Sequence, residues 1–94
     1  MYRTTLARDH GMLFIWEKDI PIWMWMKNTL IPLDMVFIDH HGRIVYIAAN
    51  TTPKSLAVIT AGQPVRAVLE LAGGTAALDG IKAGDKAIHS YFTP

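Results

Sequence analysis

Short runs of apolar residues recur along the chain, separated by residues that favour turns. The runs that resemble strands cover 12–16, 22–27, 33–39, 44–49, 65–71 and 87–92. They are rich in β-branched and aromatic residues and too short for helices of ordinary length. Gly, Pro, Asn and Asp fill the intervening positions, as expected of tight turns. Short strands at this spacing predict a mainly β fold, either a sandwich or a barrel.

Local signals refine this picture. The charged triplet 17–19 is expected to end the first strand, and Gly42 is expected to complete a hairpin loop over 39–43. Thr75 is a candidate N-cap for one helical turn over 76–79 that ends at Gly80. The apolar run 54–60 lies between Pro and Gly residues, and its pattern does not decide between strand and loop.

Composition limits the function classes. Hydrophobic residues make up 51% of the 94 residues and charged residues 18%, which predicts one globular domain over 1–94. The formal net charge is +1, with both signs interspersed, so the basic surface of a nucleic-acid binder is not expected. The absence of cysteine excludes disulfide scaffolds and thiol catalysis. No apolar run is long enough to span a bilayer.

Several blocks of the sequence resemble one known family. They are GMLF at 11–14, WMKNT at 25–29, IPLD at 31–34, FID at 37–39, VLEL at 68–71, and GIK followed by GD at 80–85. In content, order and spacing they are similar to a mostly bacterial, uncharacterised family called domain of unknown function 192. LAGG at 71–74 is a mild departure from the family's turn. The resemblance implies a β-rich, jelly-roll-like domain without an established activity, and it supplies no catalytic residues.

The resemblance also bears on the start of the chain. Family members usually carry a strand and a helix before the position of Met1, and many carry a signal or lipoprotein leader. If the chain begins at Met1, we expect that opening element to be missing and the protein to be cytoplasmic. If an upstream leader was removed, we expect a periplasmic or secreted protein.

Asp34 is the most informative candidate residue. Both faces of the strand over 33–39 are apolar, so this carboxylate is expected to be buried and to need a partner. Lys27 and Asn28 lie just across the turn and could supply one. Asp34 is then either a catalytic or binding acid, or a structural acceptor of backbone N–H groups from the loop over 28–32.

Lys27 shares a strand face with Trp23 and Trp25. A cation beside two indoles could bind an anionic or sugar-like ligand on an aromatic platform. The structural alternative, which the usual burial of Trp favours, is a lysine at the end of a strand whose tryptophans belong to the core.

Glu70 shares a face with Arg66, and the two are expected to form an ion pair on the solvent side of a strand. The functional alternative makes Glu70 a second acid for Asp34, which would suit general acid–base catalysis. His40 and His41 fall in the hairpin loop, where adjacent positions make poor metal ligands. We therefore predict no metal and no cofactor.

The predicted fold is thus a jelly-roll-like sandwich or half-open barrel with one short helix. Three functional hypotheses remain open. A binding module would hold a small polar or sugar-like ligand against Trp25, Lys27, Asn28 and Asp34. A hydrolase or lyase would use Asp34 and Glu70, and a structural module would form a homodimer through exposed apolar surface.

Overall fold

The computed structural model describes residues 11–86, which form one antiparallel sheet and one short helix. The strands are β1 (Gly11–Ile20), β2 (Leu33–Ile38), β3 (Ile44–Ala48) and β4 (Val65–Ala72), and the helix is α1 (Thr75–Leu78). The spatial order is β1-β4-β2-β3, and the sheet is not closed. The mainly β prediction with one short helix is confirmed. Residues 11–86 show neither a second packed sheet nor a barrel, and the strand predicted over 87–92 lies outside the described residues.

The centre of the sheet is apolar on both faces. All six residues of β2 are buried, because β2 lies between β4 and β3 and has side chains packed on both sides. Leu33, Met35 and Phe37 belong to one cluster of buried residues, and Val36 and Ile38 belong to another. The prediction that this strand is buried on both sides is confirmed. Any polar side chain on β2 must therefore find its partners inside the protein.

The first strand continues beyond its predicted end. The triplet 17–19 was expected to end it, but β1 runs to Ile20. Its pairing with β4 is regular from Gly11 to Ile15 and resumes only at Ile20 opposite Val65. The charged triplet thus occupies an irregular stretch of an edge strand, where unpaired backbone groups can reach water.

The run 22–27 does not join the sheet as a strand, which corrects the prediction for it. Its one antiparallel bridge joins Met24 to Ile59, with N to O distances of 2.8 Å in both directions. Pro21 and the turn that begins at Lys27 limit any longer ladder. The ambiguous run 54–60 is its partner, so these two segments form a short flap beside the sheet.

Helix α1 agrees with the predicted helical turn to within one residue. It begins at Thr75, and Gly74 rather than Thr75 is its N-cap, with a φ of 90°. Asp79 is the C-cap, and Gly80 follows with a φ of 71°. Gly74 takes the cap position because the chain must turn sharply there after β4, with a backbone conformation that favours glycine.

Candidate functional site

Asp34 is fully buried, and three backbone groups bind its carboxylate. The N–H of Asn50 donates to Oδ1 at 2.9 Å, and the N–H of Gly74 donates to the same oxygen at 3.1 Å. The N–H of Ala76 donates to Oδ2 at 2.8 Å. The side chain therefore ties β2 to the segment after β3 and to the start of α1. We call this arrangement the Asp34 clasp.

The partners of Asp34 differ from those expected. Neither Lys27, Asn28 nor the loop over 28–32 appears among the groups that bind the carboxylate, so that prediction is wrong. Of the two roles left open for Asp34, the structure shows the structural one, in which its carboxylate accepts backbone N–H bonds. The donors come from elsewhere because β4 pairs alongside β2 and brings the turn that follows it over Asp34. The side chain of Asp34 is 0% exposed, and both of its oxygens accept backbone N–H bonds. It therefore does not reach a ligand at the surface.

Glu70 is also fully buried, but it lies on the other face of the sheet. Asp34 is opposite Leu71 in the β2–β4 register, and Glu70 is opposite Met35. Since neighbouring residues on a strand point to opposite faces, the two carboxylates point in opposite directions. The structure therefore does not bring Asp34 and Glu70 together. The predicted solvent-side pair of Glu70 with Arg66 is also wrong, because Glu70 is buried and Arg66 Nε lies 3.4 Å from Asp19 Oδ1.

The flap carries two exposed tryptophans. Along 22–27 the side chains alternate, with Ile22 and Met26 buried and Trp23 and Trp25 facing outward. Trp23 is 66% exposed and Trp25 is 50% exposed, so the prediction that these rings belong to the core is wrong. Met26, which is fully buried, anchors this segment to the main core cluster. Two large apolar rings are thus exposed to solvent on a segment that the buried side chain of Met26 attaches to the core.

Lys27 completes this surface. Its Nζ lies 5.2 Å from the centroid of the Trp25 ring, within the range of a cation–π interaction. Asn28, the next residue, is exposed and adds an amide that can both donate and accept hydrogen bonds. We call Trp23, Trp25, Lys27 and Asn28 the aromatic shelf. Of the four predicted ligand-binding residues, the structure keeps Trp25, Lys27 and Asn28 at the surface and separates Asp34 from them by burial.

The aromatic shelf continues onto the second segment of the flap. Leu56 and Val58 are exposed, and the antiparallel bridge between Met24 and Ile59 places Val58 opposite Trp25. A small pocket of about 230 Å³ adjoins Trp23. Its lining residues are Pro21, Trp23, Thr60, Gly62, Gln63 and Pro64. The exposed apolar area therefore extends beyond the two indoles, and such patches commonly mark binding surfaces.

The sequence interpretation missed a polar cluster at the C-terminal end of β1. Nδ1 of His40 lies 2.7 Å from Oδ2 of Asp19, and Arg66 approaches the other oxygen of the same carboxylate. The ring of His41 is 3.8 Å from that of His40, centroid to centroid. No sequence signal links residues that are 21 positions apart, so only the fold could bring His40 to Asp19. The cluster joins the β2–β3 hairpin to the irregular part of β1.

Two common functional features are absent from residues 11–86. No group of three His, Cys, Asp or Glu side chains in that range is placed to hold a metal ion. No helix in the same range is long and apolar enough to cross a membrane.

Two solved structures resemble the chain closely. One is a protein from Sinorhizobium meliloti described as a candidate transcription regulator, with 49% identity and a TM-score of 0.87. The other is a protein of unknown function from Novosphingobium aromaticivorans, with 44% identity and a TM-score of 0.87. Each match covers 92% of this chain, which spans 67% of the first protein and 61% of the second. None of the curated proteins compared with the chain matches it significantly.

The family comparison agrees with the resemblance inferred from the sequence blocks. The family DUF192, described as "Uncharacterized ACR", matches residues 1–89. That range contains the Asp34 clasp and the aromatic shelf. The chain belongs to the DUF192 family, whose function is unknown.

Proposed function

We propose that this protein is a binding module without catalytic activity, and that its aromatic shelf holds a small sugar-like ligand. The observation that carries the proposal is the exposure of Trp23 and Trp25 on one side of the flap. Tryptophan combines a large apolar face with a polar N–H, and it is enriched where proteins contact partners. Two such rings on a small domain leave apolar area in water that a ligand could cover.

The chemistry of the shelf indicates the ligand class. A pyranose ring presents C–H groups on its faces and hydroxyl groups at its rim. Its face matches an exposed indole, and its rim matches the amide of Asn28 and the ammonium of Lys27. Because Lys27 adds a positive charge beside Trp25, we expect a sugar acid to bind more tightly than the neutral sugar.

The enzyme hypothesis has less support. Paired acid–base catalysis needs two groups within reach of one reacting atom. Asp34 and Glu70 lie on opposite faces of the sheet, and the oxygens of Asp34 are bound to backbone N–H groups. Asp34 and Glu70 are both fully buried, so neither acid reaches the exposed aromatic shelf, which favours binding over catalysis.

The description of the Sinorhizobium meliloti relative suggests a second role, in nucleic-acid recognition. Binding to a duplex draws most of its affinity from several Lys and Arg contacts to phosphates. Here the formal net charge is +1, and Lys27 is the one cation in the aromatic shelf as we define it. The charge pattern therefore favours a small ligand over a nucleic acid.

Self-association is the alternative use of the same surface. Leu56 and Val58, 64% and 62% exposed, extend the apolar area. Both belong to the run 54–60, whose exposure is one of the two grounds for predicting a homodimer, the other being apolar surface left by a missing opening element. If the flap forms the interface, sedimentation velocity at micromolar concentration will show a dimer, and Val58→Ser will return it to a monomer. If the parent protein is monomeric, the shelf is open to ligands and the dimer proposal fails.

The binding proposal is tested by a thermal-shift screen of sugars, sugar acids and small carboxylates. A ligand at a hundred times its dissociation constant stabilises the protein by about 2.7 kcal/mol. For a domain of this size that corresponds to about 10 °C or more in the unfolding midpoint. We expect Lys27→Met to weaken binding about tenfold, a loss of about 1.4 kcal/mol, because the ammonium is removed and the aliphatic stem is kept.

Lys18→Met is the matched control, since Lys18 is an exposed lysine on β1 outside the shelf. It should keep the full ligand-induced shift. The proposal is wrong if no compound of these three classes stabilises the parent protein. It is also wrong if Lys18→Met and Lys27→Met weaken binding equally.

A further inference from the structure

A second pocket lies at the hairpin end of the sheet. Its volume is about 620 Å³, within the range of small-molecule sites. Its lining includes Asp39, His41 and Arg43 from the β2–β3 hairpin, Gln63 from the loop before β4, and Lys86. Polar and charged side chains from three segments therefore converge on one cavity.

Arg43 and Lys86 are cross-strand partners in this pocket. An antiparallel bridge pairs the two residues, with Ile44 N donating to Asp85 O and Gly84 N donating to Ile44 O, both at 2.8 Å. Directly opposed residues have Cβ atoms about 4.5–5.5 Å apart, and like charges at such positions repel each other. Within residues 11–86 neither side chain forms an ion pair. The fold thus places two cationic residues side by side, and no described side chain forms a salt bridge with either of them.

Asp39, the acid that lines the same pocket, is hydrogen-bonded to the backbone of its own hairpin. Its Oδ1 accepts the N–H of His41 at 3.0 Å and that of Arg43 at 2.9 Å. The hairpin is closed further by a hydrogen bond from Asp39 N to Arg43 O at 3.0 Å. The carboxylate therefore orders the backbone from which Arg43 projects, and it forms no salt bridge with Arg43 or Lys86.

We propose that this pocket binds a small molecule through a doubly charged phosphate group. The planar guanidinium of Arg43 suits bidentate contact with phosphate oxygens, and the ammonium of Lys86 supplies a second charge. The amide of Gln63 offers a further donor. A dianion would relieve the repulsion between the two cations more completely than a singly charged carboxylate. The proposal does not depend on the aromatic shelf.

The test is a titration of the whole chain with phosphate at constant ionic strength, followed by the backbone amide signals of Gly84 and Arg43. Inorganic phosphate and glycerol 3-phosphate are titrated separately, and acetate serves as the singly charged comparison. We expect both phosphates to shift these two signals to saturation, with acetate at least about tenfold weaker, a difference of about 1.4 kcal/mol. The tighter phosphate identifies whether the site takes the free ion or a phosphorylated small molecule.

Arg43→Gln and Lys86→Gln should each weaken phosphate binding about tenfold, a loss of about 1.4 kcal/mol, and Lys18→Gln should not. Without phosphate, the two pocket variants should unfold at or above the temperature of the parent, because each removes one of two like charges on directly opposed residues. Equal shifts by phosphate and acetate would overturn the proposal, as would unchanged binding in both pocket variants. Signals from the Trp25 indole report separately on the shelf, so failure here is distinct from failure of the ligand proposal above.

Discussion

Replacing Asp34 by alanine is expected to lower the free energy of unfolding by about 2–4 kcal/mol. The substitution leaves the N–H groups of Asn50, Gly74 and Ala76 without their acceptor. Asp34 is fully buried, so water cannot simply take the place of the carboxylate. Urea unfolding measures the loss as a lower midpoint at an unchanged slope.

Asp39→Ala is the matched control. Asp39 also accepts two backbone N–H groups, but these bonds are exposed, so water can replace the carboxylate. We expect a loss of about 1 kcal/mol or less. Asp34→Asn should fall between the two alanine variants, because it keeps one carbonyl oxygen and replaces the other acceptor with a donor. Equal midpoints for Asp34→Ala and the parent would show that the clasp does not stabilise the fold.

The second large effect is expected at Gly73, which lies between the clasp and the turn before β2. A Cβ at this position would stand 2.8 Å from Asn50 Oδ1 and 2.9 Å from Pro32 Cβ. The N–H of Gly73 also donates to Pro32 O at 3.1 Å, which restricts how far the backbone can move. We expect Gly73→Ala to destabilise the protein by about 1–3 kcal/mol, as overpacking of a tight contact does.

A double-mutant cycle tests the steric origin of that loss. Asn50 has a φ of 49°, so Asn50→Gly suits the backbone while it removes the side chain in contact. The backbone N–H that binds Asp34 is retained. We expect Asn50→Gly to recover part of the Gly73→Ala loss, with a coupling of at least about 0.5 kcal/mol. Strict additivity of the two changes would contradict the contact.

The strands of the central sheet could be predicted from the sequence. The apolar run of β2 and the turn residues around Gly42 define the β2–β3 hairpin locally. The run of β4 is bounded in the same way, by Pro64 before it and the glycine pair at 73–74 after it. The bounds of these strands are set by residues adjacent in sequence, so local patterns are sufficient to predict them.

The flap could not be predicted in the same way. The alternation along 22–27 correctly separates buried from exposed positions, but a period of two does not say whether a segment joins a sheet. The exposure of Trp23 and Trp25 contradicts the usual tendency of tryptophan to be buried. That exposure is decided by what packs beside the segment, and its partner at Ile59 is distant in sequence.

The candidate site was predicted in part for a similar reason. The apolar character of β2 predicts that Asp34 needs partners inside the protein, and the structure confirms this. The identity of those partners depends on strand order, which places β4 beside β2 and the turn after β4 above the carboxylate. The separation of Asp34 from Glu70 depends on the β2–β4 register. Neither strand order nor register can be obtained from local patterns alone.

The ligand proposal is tested most directly by the indole N–H signals of the three tryptophans during titration with glucuronate. Trp23 and Trp25 are exposed on the shelf, and Trp16, which packs against the core cluster, is an internal control. We predict saturable shifts of the Trp23 and Trp25 signals, larger than those produced by glucose, with the Trp16 signal unmoved. The absence of a saturable shift at Trp25, or equal shifts at all three indoles, would contradict the proposal.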